Sequence, residues 1–314
     1  MSRNRSIGWL EVGALVTVYL VWGSTNLGIR IAVRDFPPFM MAGIRFLIAG
    51  GALYSILRVL GIPSPSPKEW LNSALLGALF LLIGNGAVTV AELSVPSGLT
   101  CLLSGTMPLW AAVFNRLSGY RSSWREIFGV LIGFCGLIFL NLGSSMSANR
   151  FGTLLVLCAA IFWALGMILG RRLTLPQGIM ASAAQMLSGG TMLLCASGLS
   201  GEHLTMLPGK SSTLAIMYLT LFGSLVGYCA FTIVLTRMPQ GLATSYAYVN
   251  PLVAVFIGWK FAGEPVTPSM LWAGVAILIG VAAITMGQGR STSDSGIKLP
   301  ELTVDSEREV AASA

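Results

Sequence analysis

Long apolar runs recur along this chain, and no other feature constrains its fold as much. A helix needs about 20 predominantly apolar residues to cross a hydrocarbon core. Ten such runs can be marked, at about 10–33, 38–60, 70–92, 96–117, 124–142, 151–170, 178–199, 211–236, 240–262 and 268–287. Connections are short and often carry proline, as at Pro37-Pro38, Pro63, Pro65, Pro67, Pro96, Pro176, Pro239 and Pro265. The first run follows Met1 to Arg5 in the manner of a secretory leader. It is too long for one, lacks an A-x-A cleavage site and precedes nine more runs, so a retained helix is expected. The expected class is all-α integral membrane, with ten transmembrane helices.

Composition excludes the obvious alternatives. Charged residues are 10% of the chain, against about 25% in soluble domains. The net charge of +7 would suit a nucleic-acid binder only if Lys and Arg clustered, and the 19 basic residues are scattered between apolar runs. They fit membrane loops better. With the N-terminus inside, Arg3, Arg5, Arg58, Lys68, Arg116, Arg121, Arg125, Arg171, Arg172, Arg237 and Arg290 are cytoplasmic, eleven in all. Arg30, Arg34, Arg150, Lys210 and Lys260, five, face the other side. That asymmetry predicts both termini in the cytoplasm. Cys101, Cys135, Cys158, Cys195 and Cys229 lie in apolar runs and are expected as small buried hydrophobes. The lone His203 cannot build a multi-His metal site, and no metal or other cofactor is expected. Residues 290–314 are polar and are expected to form a disordered cytoplasmic tail.

The chain also repeats itself. A shift of 143 places 76–111 on 219–254 without a gap, and eleven of the 36 pairs are identical. Shared proline and glycine carry most weight: Pro96/Pro239, Gly98/Gly241, Pro108/Pro251 and Gly84/Gly227. A shift of 139 pairs Pro37/Pro176, Gly50/Gly189 and Gly51/Gly190. Two five-helix repeats are expected, 1–145 and 146–289. An odd number of crossings per half makes them inverted, as in secondary transporters whose substrate site lies between halves near the midplane. An old duplication in a structural membrane protein would leave the same trace.

With those residues in view, the sequence resembles the EamA family of the drug/metabolite transporter superfamily. Trp22-Gly23-Ser24-Thr25-Asn26 looks like its opening signature and Arg45-Phe46 like its early arginine. Pro96-Ser97-Gly98 and Pro239-Gln240-Gly241 are similar to its helix starts, and Pro108-Leu109 and Pro251-Leu252 to its mid-helix prolines. Gly263-Glu264-Pro265-Val266 with Trp272, Gly274 and Gly280 resembles its last helix junction. The likeness covers about residues 10–287 and is strongest to YedA-like bacterial exporters. It implies a central cavity and export of amino acids or related small metabolites. One departure stands out: Arg121 occupies the first-half position equivalent to Glu264.

Charge inside a span is costly, so it usually faces a cavity or a partner. Arg45, two turns into the second run, can bind a substrate carboxylate, pair with Glu92, snorkel outward or pin packing. Arg45 and Glu92 are expected as a gate or charge relay. Glu264 and Lys260 are expected to pair locally. Polar and aromatic mid-span residues must point inward. Trp22, Ser24, Asn26, Asn85, Thr89, Trp163, Tyr228, Thr232, Tyr246 and Asn250 are therefore the expected substrate-binding set, with bonding between helices as the alternative use. Asn85/Thr89, Tyr228/Thr232 and Tyr246/Asn250 each share a helix face at i,i+4. Pro108 and Pro251 should kink their helices and can serve as hinges. Gly129/Gly133, Gly166/Gly170 and Gly223/Gly227 should let helices approach closely.

No Asp or Glu falls in mid-span, so proton coupling through a deeply buried carboxylate has no support, and coupling near the outer end through Glu92 stays open. Pro208-Gly209-Lys210-Ser211 ends like a phosphate-binding loop, but Leu204 stands where its first glycine belongs. The expected activity is non-enzymatic: a secondary transporter exporting small organic metabolites across a bacterial inner membrane by alternating access. Its expected partners are a small-molecule substrate and the lipid bilayer, with no nucleic acid; a monomer is compatible with the sequence, which leaves the oligomeric state and proton coupling open. The alternative is an integral-membrane transferase acting on a lipid-soluble substrate.

Overall fold

The computed structural model describes residues 8–117, 124–142, 149–170, 172–238 and 245–294. All the regular structure among them is helical. In chain order the helices are α1 Trp9–Ala32, α2 Pro38–Val59, α3 Pro67–Gly77, α4 Gly86–Ala91, α5 Ser97–Ser104, α6 Met107–Leu117, α7 Trp124–Leu142, α8 Arg150–Gly170, α9 Ile179–Leu199, α10 Lys210–Tyr218, α11 Gly227–Arg237, α12 Tyr246–Ala262 and α13 Pro268–Asp294. π-helical stretches, Ala78–Asn85 and Leu219–Val226, join α3 to α4 and α10 to α11. Seven stretches among the described residues are long and apolar enough to cross a bilayer: Trp9–Ala32, Pro38–Val59, Pro67–Ala91, Ser97–Leu117, Arg150–Gly170, Ile179–Leu199 and Lys210–Val234. Shorter apolar helices, Val249–Ala262 and Pro268–Ala283, add to them.

The outer surface explains why such a chain needs lipid. Leu20, Ile48, Leu131, Leu154, Phe256 and Trp259 all stand more than half exposed along helix faces. In water these would be aggregation-prone patches; against acyl chains they cost nothing. Cys135 and Cys195 share that surface, which corrects the expectation that all five cysteines are buried. Each sits on the lipid-facing side of an apolar helix, where a thiol is as compatible as a methyl group.

Two further expectations change. The helix after Pro268 runs on through Asp294, so residues 290–294 are helical, not a disordered tail. Once a ladder of backbone bonds is running, polar residues extend it at little cost. Residues 295–314 lie outside the described part, as do Pro239, Gly241 and Arg121. The fourth apolar run is also not one kinked helix. It breaks between Ser104 and Met107, and Pro108 becomes the second residue of α6. Proline lacks an N–H and its ring clashes with the carbonyl four residues back, here that of Ser104. Gly105 adds no propensity to hold the turn together. Pro251, by contrast, sits inside a continuous α12.

Small residues set the packing. α2 and α9 run antiparallel: a methyl group on Gly43 would sit 2.7 Å from Leu194, one on Gly190 3.0 Å from Leu47, and one on Gly50 2.8 Å from Met186. α7 and α13 do the same, with Gly136 against Ala276 and Gly280 against the Gly129 carbonyl and Gly133. α1 packs on α10, α11 and α12, and α8 on α3, α4, α5 and α6 or the π turn between them. Trp22 of α1 lies over Gly227, and Trp163 of α8 lies over Gly84. Gly84 and Gly227 are partners in the 143-residue shift, so the same indole-on-glycine contact is made twice.

At the α1 C-terminal end of the bundle, carboxylates from distant segments hold helix N-termini. Glu202, after α9, accepts from the Phe39 and Met40 N–H groups that open α2, at 3.1 and 2.8 Å. Asp35, after α1, accepts from the Gly209 N–H that opens α10, at 2.8 Å. Such donors are orphaned at every helix start, and the helix dipole favours an anion there. The Ser212 hydroxyl, the Gly209 N–H and nearby Arg34 hold the Asp35 carboxyl below its ordinary 3.8, against a smaller opposing effect of burial. That hydroxyl has one proton and a second acceptor in reach, the Ile31 carbonyl at 3.1 Å, so the Gly209 bond is the firmer contact.

A Gly227→Ala protein should unfold at lower temperature in detergent, by the equivalent of about 1–3 kcal/mol, because the new methyl group would sit 2.5 Å from the Trp22 indole nitrogen. Gly13→Ala, with nothing within 4 Å, should not. Asp35 has a depressed folded value, so its contribution is present above about pH 4 and fades as pH falls through that folded value. Melting curves of Asp35→Asn should therefore lie below wild type near neutrality and converge with it in acid.

Candidate functional site

A cavity of about 170 Å³ lies among α1, α2, α4, α5, α6, α8, α11, α12 and both π stretches. Seven of the ten expected binding residues line it: Trp22, Asn26, Asn85, Trp163, Tyr228, Tyr246 and Asn250. Arg45 and Pro251 line it too. Spacing of polar residues along each run was enough to find these, since an uncharged polar group in lipid must turn toward the bundle. The break in the fourth span contributes Ser104, Gly105 and Met107, and α5 contributes Cys101. None of those was expected, because a helix break is a matter of where the carbonyls end up.

The three remaining residues are occupied elsewhere. Ser24 donates to the Val21 carbonyl at 2.8 Å and bonds the Tyr218 hydroxyl. Thr89 donates to the Asn85 carbonyl at 2.7 Å, and Thr232 to the Tyr228 carbonyl at 2.9 Å. The two threonine bonds are equivalents in the 143-residue shift. Each satisfies the turn just after a π-helical stretch, next to a cavity residue.

One wall is aromatic. The Trp22 ring meets Tyr228 at 5.6 Å and 67°, Tyr246 at 5.7 Å and 85°, and Phe231 at 4.7 Å between centroids. Edge-to-face contacts of this kind add to simple burial. The Trp22 Nε1–H donates to the Gly223 carbonyl at 3.2 Å, which fixes the indole. Across the cavity Trp163 packs on Phe80 at 5.3 Å.

Arg45 is the one charged side chain lining the cavity among the described residues. It is 3% exposed, which rules out snorkelling. Its Nη2 donates to the Asn85 Oδ1 at 2.9 Å, and its Cζ lies 4.3 Å from the Phe46 ring centroid. Nε and Nη1 have no hydrogen-bond partner. The Thr89 hydroxyl, which donates to the Asn85 backbone carbonyl, lies 3.4 Å from the Asn85 Oδ1. On α12, Asn250 presents a buried Oδ1 with no donor. The cavity is thus lined by an arginine and an asparagine that each keep buried polar atoms without partners, and by an aromatic wall.

The expected Arg45–Glu92 pair does not form. Arg45 takes the uncharged Asn85 instead, while Glu92 sits outside the cavity lining near Arg30. The expected Glu264–Lys260 pair is also corrected: Glu264 pairs with Arg30 at 3.3 Å, and Lys260 is exposed. Arg30 reads in the sequence as a loop charge, and only the crossing of α1 with the turn before α5 shows its use.

Apolar helices packed round a buried cavity that holds an unneutralised cation are built like a polytopic membrane carrier. Comparison with known proteins gives the same class. A model of the EamA-like transporter family matches residues 9–142 and again residues 150–286. The chain belongs to that family. It is 44% identical over 278 residues to the uncharacterized inner membrane transporter YedA of Escherichia coli (strain K12), covering 88% of this chain and 90% of that one. It is 26% identical to the uncharacterized transporter YoaV of Bacillus subtilis (strain 168), over 85% of this chain and 94% of that one. A crystal structure at 20% identity shares the fold, with a TM-score of 0.63 over 90% of this chain and 98% of the other.

In a competition-efflux panel, Asn85→Ala and Tyr228→Ala should change the order of preference among solutes. Thr89→Val and Thr232→Val should leave that order unchanged, because their hydroxyls serve their own helices.

Proposed function

We propose that the protein is a secondary transporter of the bacterial inner membrane that exports small organic metabolites, amino acids or related amphipathic carboxylates, by alternating access. One observation carries the substrate reading: the buried Arg45 guanidinium with Nε and Nη1 unpartnered at a cavity that brings no carboxylate of its own. An unneutralised buried cation is expensive, and a substrate carboxylate would repay that expense with two charge-assisted bonds. An ammonium group on the same solute would meet the Asn250 Oδ1 and the aromatic wall, which attracts cations. Trp22, Asn26, Asn85, Trp163, Tyr228, Tyr246 and Asn250 form the binding surface in this reading.

The proposed framework is ten spans in two inverted halves, 1–145 and 146–289, with both termini cytoplasmic. It rests on the double family match, the Trp22/Gly227 and Trp163/Gly84 contacts, and the antiparallel α2/α9 and α7/α13 pairs. Each of these pairs joins equivalent members of the two halves, as a two-fold axis in the membrane plane requires. The Glu202 bonds to Phe39 and Met40 bring residues 36–40 and 202 to the same end of the bundle. The α5–α6 break and the Pro251 helix meet where a methyl group on Gly105 would be 3.2 Å from the Pro251 ring. That contact is where the halves pivot.

Cells carrying Arg45→Ala should insert normal amounts of protein and lose at least tenfold in efflux of carboxylate solutes, with partial rescue by Arg45→Lys. Normal efflux from Arg45→Ala would overturn the site. Overproducing cells should lose a solute chemically unchanged; a new product in its place would favour a membrane transferase.

A further inference from the structure

We propose that Glu92 is a proton-binding site that works an ionic lock between Arg30 and Glu264, and through it couples transport to protons. This rests on the transporter reading and adds a ligand to it.

Glu264 closes the lock. Its Oε1 accepts from the Ser97 N–H and the Ser97 hydroxyl, both at 2.9 Å, and its Oε2 from the Gly98 N–H at 3.0 Å. These are the first orphan donors of α5, capped by a carboxylate 167 residues away. Arg30 braces the cap from α1. Its Nε is 3.3 Å from Glu264 Oε1, and its Nη1 donates to the Val95 carbonyl at 2.6 Å. α1, the turn before α5 and the α12–α13 junction are thereby tied together at one end of the cavity.

Glu92 lies beside this lock, 1% exposed, with no hydrogen-bond donor on either carboxyl oxygen. The neighbouring Thr100 hydroxyl lies 3.2 Å from the Pro96 carbonyl and is also near the Glu92 carboxyl. The charges facing Glu92 are Arg30 from α1 and Glu264 from the α12–α13 junction. On α5 it faces the Cys101 thiol, which also lines the cavity. α8 brings Gly152 against Ala91 and Val95, with Arg150 exposed, and α2 brings the Phe39 ring against Gly86. One cation thus faces two carboxylates. With Arg30 engaged by Glu264, a second buried anion would stand unpaired beside a like charge, so Glu92 is the neutral acid in this closed arrangement.

The switch follows. When the Glu92 carboxyl loses its proton, the new carboxylate competes for Arg30 and repels Glu264, and the cap on α5 loosens. When it regains a proton, Arg30 returns to Glu264 and the end closes. A proton taken up from the open outer side therefore shuts that side. It leaves toward the cavity, past Cys101, when the opposite side opens. Only one O–H bond forms and breaks in the cycle, and the proton travels opposite to the exported solute.

The test needs no solute. Spin labels at Leu93 and Phe261, both exposed and flanking the lock, would report its width in the purified full chain by pulsed electron spin resonance between pH 5 and 9. In wild type the long-distance population should grow at least threefold toward alkaline pH, and in Glu92→Gln the short distance should persist throughout. Infrared titration should lose one protonated-carboxyl band in Glu92→Gln. A wild-type distance independent of pH would overturn the proposal, whatever the variant does. So would a variant that still widens. Efflux by Arg45→Ala judges the transporter reading separately.

Discussion

A bilayer interior offers no water to a backbone N–H or C=O, so each group must find its partner within the protein. That rule makes the spans helical, and it also limits where they can deviate. The interruption at Gly105–Thr106 and the two π-helical stretches are the departures from regular helix inside the described spans. All three border the cavity. The Thr89 and Thr232 hydroxyls turn back onto the Asn85 and Tyr228 carbonyls there, supplying bonds where the ladder changes pitch. Irregular backbone is tolerable only where a polar space or a side chain can serve it, so the departures from regular helix fall beside the cavity.

The two arginine neighbourhoods, Arg45 buried and Arg30 partly exposed, differ in their partners. Arg45, at the cavity, is held by a neutral amide and keeps two buried nitrogens without partners. Arg30 is committed to a carboxylate and a carbonyl at the end of the cavity. A cation left short of partners suits a ligand, whereas one saturated by an anion and a backbone oxygen suits a closure. Because Glu264 holds α5 and the broken span continues from α5 into the cavity wall, the end of the bundle and its centre are mechanically joined.

Much of the architecture was legible beforehand. Apart from the end of the last helix, the marked runs agree with the observed helices to within a few residues wherever both can be compared, because a span long enough to cross lipid has no competing solution. The cavity-facing sets Asn85, Tyr228, Tyr246 and Asn250 were legible through i,i+4 spacing. The pairings were not. Depth in the span suggests Arg45 with Glu92, and nearness in sequence suggests Glu264 with Lys260, yet both carboxylates face Arg30, which lies 234 residues before Glu264. The end of the last helix and the lipid-facing Cys135 and Cys195 were also misjudged, since composition does not say which side of an apolar helix meets the bundle.

By itself, the sequence determined that the chain is a bundle of apolar helices, where those helices lie, that it repeats, and which polar residues turn inward. Each of these follows from hydrophobic length and helical period, which are local properties. Only the tertiary structure decided which charges meet, that the fourth span breaks open, and that three cross-chain carboxylates cap helices at one end. The three caps join segments more than 160 residues apart, the Arg45 partner lies 40 residues away on another helix, and a charge chooses its partner by distance in space.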